Sequence, residues 1–393
     1  MRPTRGDIRA KRLSTLPQYL FEELRELRLK KEAAGEDVID LSIGDPDLGA
    51  PPVALEALKA YAGDKRLHAY TPHFVVERFA GAVSKWMKRR YEVDLDPGEE
   101  ILPLVGTKEG IAHLPLAVLD PGAAALVPDP GYPVYSRGTW FAGGKVEWMP
   151  LREDAGYLGD PDLVRRHRPR LVFVNYPNNP TSAVAVPGFF ARLVEAGLDA
   201  GALVANDAAY AEIGFEGYLA PSILSERDAM ETAIEFHSFS KTFSMAGWRL
   251  GFAAGNRRAI KALGSLKSNI DSGVFGPILM AGVAALESGW DWCEKTLAAY
   301  AERRCLILEG LEAAGIAYHE SPATLYVWAR VPGGSGSIDF ARLLLERSGI
   351  LVAPGAGFGA AGEGYFRISV TCPTERVRAA ALRIREVKEA WTK

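Results

Sequence analysis

The chain has 393 residues, of which 48% are hydrophobic and 24% charged, so it can bury a large core. Its formal net charge of −3 favours no polyanionic partner such as nucleic acid, and no apolar run reaches the roughly 18 residues that a membrane-spanning helix needs. Cys293, Cys305 and Cys372 are widely spaced, form no metal-ligand pattern, and in their odd number suit a reduced, cytoplasmic protein.

Basic residues gather at the start, at Arg2, Arg5, Arg9, Lys11 and Arg12. Asp7 interrupts the run, so a solvated or partner-clasping arm is expected rather than a transit peptide. Leu16, Leu20, Leu24 and Leu27 recur at helical spacing and predict one amphipathic helix, with Thr15 as its cap and Pro17 in its first turn. Residues 38–46 read as a short strand running into a turn. From about residue 100, apolar runs of strand length (101–105, 124–127, 146–149, 171–174, 202–205, 233–236 and 250–253) alternate with longer amphipathic stretches. Continuous apolarity implies strands covered on both faces, and the alternation implies an α/β fold with a mostly parallel sheet. Ligands of such sheets bind beyond the carboxyl ends of the strands. After residue 285 a helical stretch over 290–314 precedes strands at 324–329, 350–353 and 365–370, which predicts a smaller α+β domain. The expected division is an arm over 1–50 packing with the small domain, a large domain over 51–285, and the small domain over 286–393.

Polar motifs follow the apolar runs. Lys241 lies in Ser238-Phe239-Ser240-Lys241-Thr242, with Arg249 eight residues on. Lysine attacks carbonyls as the free amine, so it needs a depressed pKa or an imine bond; Arg249 favours the neutral amine and can also hold a phosphate. The bland alternative is a surface loop with ordinary charges. Asn175 to Thr181 follows the run at 171–174, and Asn206-Asp207-Ala208-Ala209-Tyr210 follows the next run. Three consecutive strand ends thus offer an amide, an acid with a phenol, and an amine. A carboxylate there suits a protonated pyridine nitrogen, although Asp207 alone could equally be a helix cap.

Together these segments resemble the signatures of fold-type-I aminotransferases dependent on pyridoxal 5′-phosphate, over nearly the whole chain from Gly44 to Arg367. Residues 43–47, 129–135 and 235–238 are most similar to the LL-diaminopimelate aminotransferase subgroup. The resemblance implies that Lys241 carries the cofactor as a Schiff base and shuttles the substrate α-proton. It implies that Asp207 pairs with the pyridine nitrogen, and that Tyr210 and Asn179 hydrogen-bond the phenolic oxygen, tuning the imine pKa. Tyr132 would stack on the ring. Thr107, Lys108, Ser238 and Arg249 would hold the phosphate. Arg367 would grip the substrate α-carboxylate, where the bland alternative is a structural ion pair, and Gly44 would let the backbone approach the substrate. The resemblance also implies a homodimer, with Tyr70 and Asn269 reaching the partner's site, and Tyr19 closing over the substrate or packing on the core.

The chain departs from the family's pattern in four places. Ser182 stands where glycine is usual after Asn-Pro-Thr. Val75 and Ala80 stand where the family has glycine and arginine, so the stretch after Tyr70 is expected to run differently. His73 occupies the position of an acid suited to a distal ammonium group, which weakens diaminopimelate as the substrate. The leading expectation is amino transfer from an L-amino acid to a 2-oxo acid, 2-oxoglutarate foremost. A carbon–sulfur β-lyase on the same fold is the alternative. A pyridoxal-phosphate-binding regulatory module is disfavoured, because only about 40 residues precede Gly44, too few for a DNA-binding domain.

Overall fold

The computed structural model describes Ala10, Leu13, residues 22–386, Lys388 and Trp391. The basic arm, the Thr15 cap, Leu16, Leu20 and Tyr19 lie outside the described residues. The helix expected around Leu24 and Leu27 is present over Glu22–Ala33.

A two-residue strand, β1 (Ile39–Asp40), precedes seven strands that match the seven apolar runs in order. They are β2 (Ile101–Leu104), β3 (Ala124–Asp129), β4 (Lys145–Pro150), β5 (Leu171–Val174), β6 (Leu203–Asp207), β7 (Ala233–Ser238) and β8 (Gly251–Gly255). They form one sheet in the order β2-β8-β7-β6-β5-β3-β4. Strand β8 runs antiparallel to both its neighbours, and the remaining pairings are parallel. Every residue of β5, β7 and β8 is buried, as strands covered on both faces require. Edge strand β4 instead exposes Lys145, Trp148 and Pro150.

The C-terminal part contributes β9 (Tyr326–Arg330), β10 (Ile350–Leu351), β11 (Ala353–Pro354) and β12 (Tyr365–Ser369), after a long helix over Trp290–Ala314. Strands β11, β12 and β9 form a three-stranded sheet. A hydrophobic core joins Leu24, Ile39 and Leu41 to Phe340, Leu345, Phe366 and Ile368, and it also takes in Ile213 and Phe215 from the middle of the chain. Strand β1 pairs in parallel with β10, and Ser369 N donates to Leu41 O at 2.8 Å. Arg376 and Arg383 both bind the Asp37 carboxylate. Hydrogen bonds from these two guanidinium groups hold its pKa down to about 2. The first strand is thereby tied to the last, which sets residues 42–44 above the carboxyl ends of the large sheet.

Val75 and Ala80 lie on the buried face of a regular helix, His73–Tyr91, with 0% and 1% exposure. No residue between 70 and 80 needs a positive φ, so valine and alanine fit there. Ser182 does take a positive φ, 66°, the conformation that glycine adopts most readily. Its hydroxyl compensates by donating to Tyr326 O at 2.9 Å and accepting from Thr324 Oγ1 at 2.8 Å.

Candidate active site

A cavity of about 660 Å³ opens at the carboxyl ends of β5, β6 and β7. Thr107, Lys108, Tyr132 and Asn179 line it, as do Asp207, Tyr210, Ser238 and Lys241. Arg249, Arg367 and Gly44 complete the set that the motifs single out. Tyr70 and Asn269 do not line it; Tyr70 is 85% exposed and Asn269 also faces solvent.

One end of the cavity is built for an anion. The helix Thr107–Val118 starts there, after Gly106 at φ 74°, so its first backbone N–H groups have no partners within the helix. A Cβ on Gly106 would lie 2.4 Å from Arg249 Nη2, so only glycine lets the guanidinium lie against the helix start. Arg249 itself sits at φ 55°, an uncommon conformation for a non-glycine residue, and is anchored by Nη1 donating to Ala246 O at 2.7 Å. Ser238 and Ser240 border the same end.

The other end holds a buried acid. Asp207 ends β6, and its Oδ2 accepts from Tyr135 Oη at 2.8 Å while Oδ1 accepts from Ala209 N at 3.3 Å. Burial raises its pKa to about 6, against the opposing pull of the Tyr135 hydrogen bond, the Ala209 N–H and nearby His237. Asn175 braces this end, with Nδ2 donating to Asp207 O at 2.5 Å and Oδ1 accepting from Asn179 N at 2.7 Å. Behind it, Glu235 is fully buried. It accepts hydrogen bonds from Ser222 Oγ at 2.7 Å and Asn206 Nδ2 at 2.9 Å, and faces His237 Nε2 at 2.7 Å. Burial works to raise its pKa, but His237 and these donors keep it below the usual glutamate value.

Between the two ends stand an amine, phenols and a second guanidinium. Lys241 Nζ donates to Gly44 O. Tyr132 lines one wall, and burial with the nearby Asp207 charge pushes its phenol up to about 12. Arg367 lies on β12, with Nη1 donating to Asn179 Oδ1 at 2.6 Å and Nη2 to Ser42 O at 2.7 Å. Among the described residues it makes no ion pair; its guanidinium sits 4.0 Å from the Tyr326 ring centroid and 4.7 Å from that of Phe358. Its Nε is buried and has no hydrogen-bond partner among the described residues, at a cost of about 1–3 kcal/mol. Tyr326 Oη is 2.9 Å from Tyr210 Oη. A Cβ on Gly44 would fall 2.1 Å from that Tyr326 hydroxyl, so Gly44 is needed to make room for a phenol of the protein itself.

Motif reading missed Tyr135 and Tyr326. Tyr135 lay in the quoted stretch 129–135, but its partner is 72 residues away. Tyr326 sits in an apolar strand, 116 residues from Tyr210, with no polar motif to mark it. The cysteines are free: Cys293 is buried, Cys372 partly so, and Cys305 exposed. Among the described residues no group of His, Cys, Asp and Glu could hold a metal ion, and no helix is long and apolar enough to cross a membrane.

A helix start, an arginine and serine hydroxyls at one end suit a phosphate dianion. A buried carboxylate at the other suits a protonated ring nitrogen. The phenol and amine between them suit a phenolic oxygen and an aldehyde. This donor set fits pyridoxal 5′-phosphate.

The sequence agrees with this chemistry. The model of the family "Aminotransferase class I and II" matches residues 36–384. The LL-diaminopimelate aminotransferase of Desulforudis audaxviator is 47% identical over 383 residues, covering 96% of this chain and 97% of that one. The enzyme of the same name from Aquifex aeolicus is 44% identical, covering 96% and 98%. The substrate-bound structure of BacF from Bacillus subtilis superposes with a TM-score of 0.91 at 34% identity, covering 97% and 98%. The chain thus belongs to the class I and II aminotransferases and is a pyridoxal-phosphate-dependent transferase of amino groups.

Proposed function

We propose that the chain moves the amino group of an L-amino acid to 2-oxoglutarate, with LL-diaminopimelate as its physiological donor. The observation that carries the chemistry is the placement of Lys241, Asp207 and Arg367 around one cavity. The donor assignment rests on full-length relatives of that name at 44–47% identity. Pyridoxal phosphate supplies, when bound, an aldehyde that condenses with amines and a ring that draws electrons from the substrate α-carbon.

The residues divide that work. Thr107, Lys108, Ser238 and Arg249 hold the phosphate. The Asp207 carboxylate keeps a proton on the ring nitrogen. Asn179 Oδ1 is taken by Arg367, which leaves its Nδ2 to donate to the phenolic oxygen beside the Tyr210 hydroxyl. Tyr132 covers the ring. Arg367 receives the substrate α-carboxylate with the Nη N–H groups that Asn179 and Ser42 leave free, and Phe358 and Tyr326 keep its planar fork in place. Lys241 Nζ, held beside Gly44, would take the proton from the substrate α-carbon and return it two atoms along, on the far side of the nitrogen that is being transferred.

The same reading includes a homodimer in the cytoplasm, with the boundaries near residues 50 and 285 as its domain limits. Thr71 Oγ1 donates to Val274 O at 2.5 Å, which joins the segments carrying Tyr70 and Asn269. Around them Phe74, Ile270 and Phe275 are 46–53% exposed. A second copy covering this face would carry Tyr70 and Asn269 towards the neighbouring cavity, and Tyr19 would close the site from the arm.

The test is a screen of LL-diaminopimelate, aspartate, alanine and cystathionine, each with and without 2-oxoglutarate. Glutamate formed fastest from LL-diaminopimelate supports the assignment. A faster rate with another donor overturns the donor, and pyruvate and ammonia released without an oxo acid overturn amino transfer.

A further inference from the structure

Tyr326 stands where three functions meet. Its hydroxyl is 2.9 Å from Tyr210 Oη, and its ring lies 4.0 Å beneath the Arg367 guanidinium. The same hydroxyl occupies the space that a side chain at Gly44 would fill, and Gly44 O accepts from Lys241 Nζ. Tyr326 is 4% exposed, so its hydroxyl must be paired within the protein. Its backbone is fixed by Ser182 Oγ donating to Tyr326 O at 2.9 Å and by Thr324 Oγ1 accepting from Tyr326 N at 3.1 Å. The departure from glycine at 182 thus anchors this strand residue to the loop that carries Asn179.

We propose that Tyr326 is a positioning residue of the reaction centre: its hydroxyl donates to Tyr210, directing the single Tyr210 proton to the cofactor's phenolic oxygen, while its ring seats the arginine that binds the substrate carboxylate. The inference rests on the role given above to Tyr210. A phenol has one proton to donate. If Tyr210 spends its proton on the cofactor, the short contact between the two hydroxyls must be donated by Tyr326, and a donor that is itself hydrogen-bonded in this way is strengthened. The electrostatics favour that direction. Burial works to raise both phenols. Arg367, Lys241 and the Tyr210 hydrogen bond outweigh it at Tyr326 and hold that phenol below the usual tyrosine value, against Asp45, while burial, the Tyr326 contact and Asp207 keep Tyr210 well above it. The more acidic partner is the better donor.

The test uses the cofactor-loaded protein and follows the pH midpoint of its visible absorbance. Tyr326→Phe keeps the ring and removes the donor. The Tyr210 hydrogen bond weakens, more negative charge stays on the phenolic oxygen to hold a proton beside it, and the midpoint rises by about half a pH unit. Tyr210→Phe moves it further in the same direction. In Tyr326→Phe the KM values of donors and acceptors stay near wild type. In Tyr326→Leu the ring is lost, and KM rises on the order of 3–30-fold for every donor and acceptor alike. A midpoint unchanged in Tyr326→Phe but raised in Tyr210→Phe overturns the proposal and leaves the Tyr210 assignment standing. No change in either variant overturns both.

Discussion

Asp207→Asn separates the cost of the buried acid from its use. A carboxylic acid that titrates near 6 instead of near 4 has its anion disfavoured by about 3 kcal/mol in the fold. The raised pKa fixes the sign. In the cofactor-free protein the acid costs nothing below the ordinary carboxylate range, where it is protonated folded and unfolded alike. The penalty grows as pH rises from about 4 through 6 and is complete above that. Asparagine keeps the shape and has no charge to bury. Urea denaturation of the cofactor-free proteins at pH 4.5 to 8 should therefore show the variant gaining on wild type by up to about 3 kcal/mol as pH rises. Adding pyridoxal phosphate should reverse the order at pH 8, because a protonated ring nitrogen stabilises the Asp207 anion and gains nothing from asparagine. Turnover should fall on the order of 10²–10³-fold or more, as for loss of one preorganised electrostatic partner. A stability difference between the cofactor-free proteins that does not change with pH would refute the reasoning. So would a variant that gains as much stability from the cofactor as wild type does.

Other residues give independent checks. Arg367→Lys keeps the charge but loses the planar fork, so kcat/KM should fall at least tenfold for donors and acceptors alike; a loss confined to one donor would mean that Arg367 reads the side chain. Gly106→Ala places a Cβ against Arg249 at a strained φ, and should weaken cofactor binding, measured by fluorescence titration, without abolishing the fold. Glu235→Ala strands His237, Asn206 and Ser222 in the core and should cost about 3–5 kcal/mol in denaturant unfolding, where an exposed site would cost almost nothing.

The strands were legible because burial on both faces writes itself as unbroken apolar runs, and β2 to β8 follow those runs closely. The reversal of β8 was not, because an apolar run carries no direction and its antiparallel pairing with β7 is decided by the turn at residues 239–250. That Lys241, Asp207 and Asn179 line one cavity was readable because each lies at or just after a strand end as a polar break in an apolar context. Tyr135 and Tyr326 were not, because a phenol in an apolar stretch looks like core until its partner arrives from across the fold. Gly44 was legible as a point of close approach, and the protein group that meets it is Tyr326. Tyr70 and Asn269 are exposed and do not line the cavity of their own chain, so the structure leaves their expected roles untested.

The proposed chemistry requires Lys241 to be the residue joined to the cofactor. Borohydride reduction of the protein loaded with pyridoxal phosphate, followed by peptide mapping, tests it most directly. One labelled peptide, carrying the cofactor on Lys241, is expected, with no label in Lys241→Ala. Label on Lys108, Lys267 or any other lysine, or undiminished labelling of Lys241→Ala, would contradict it.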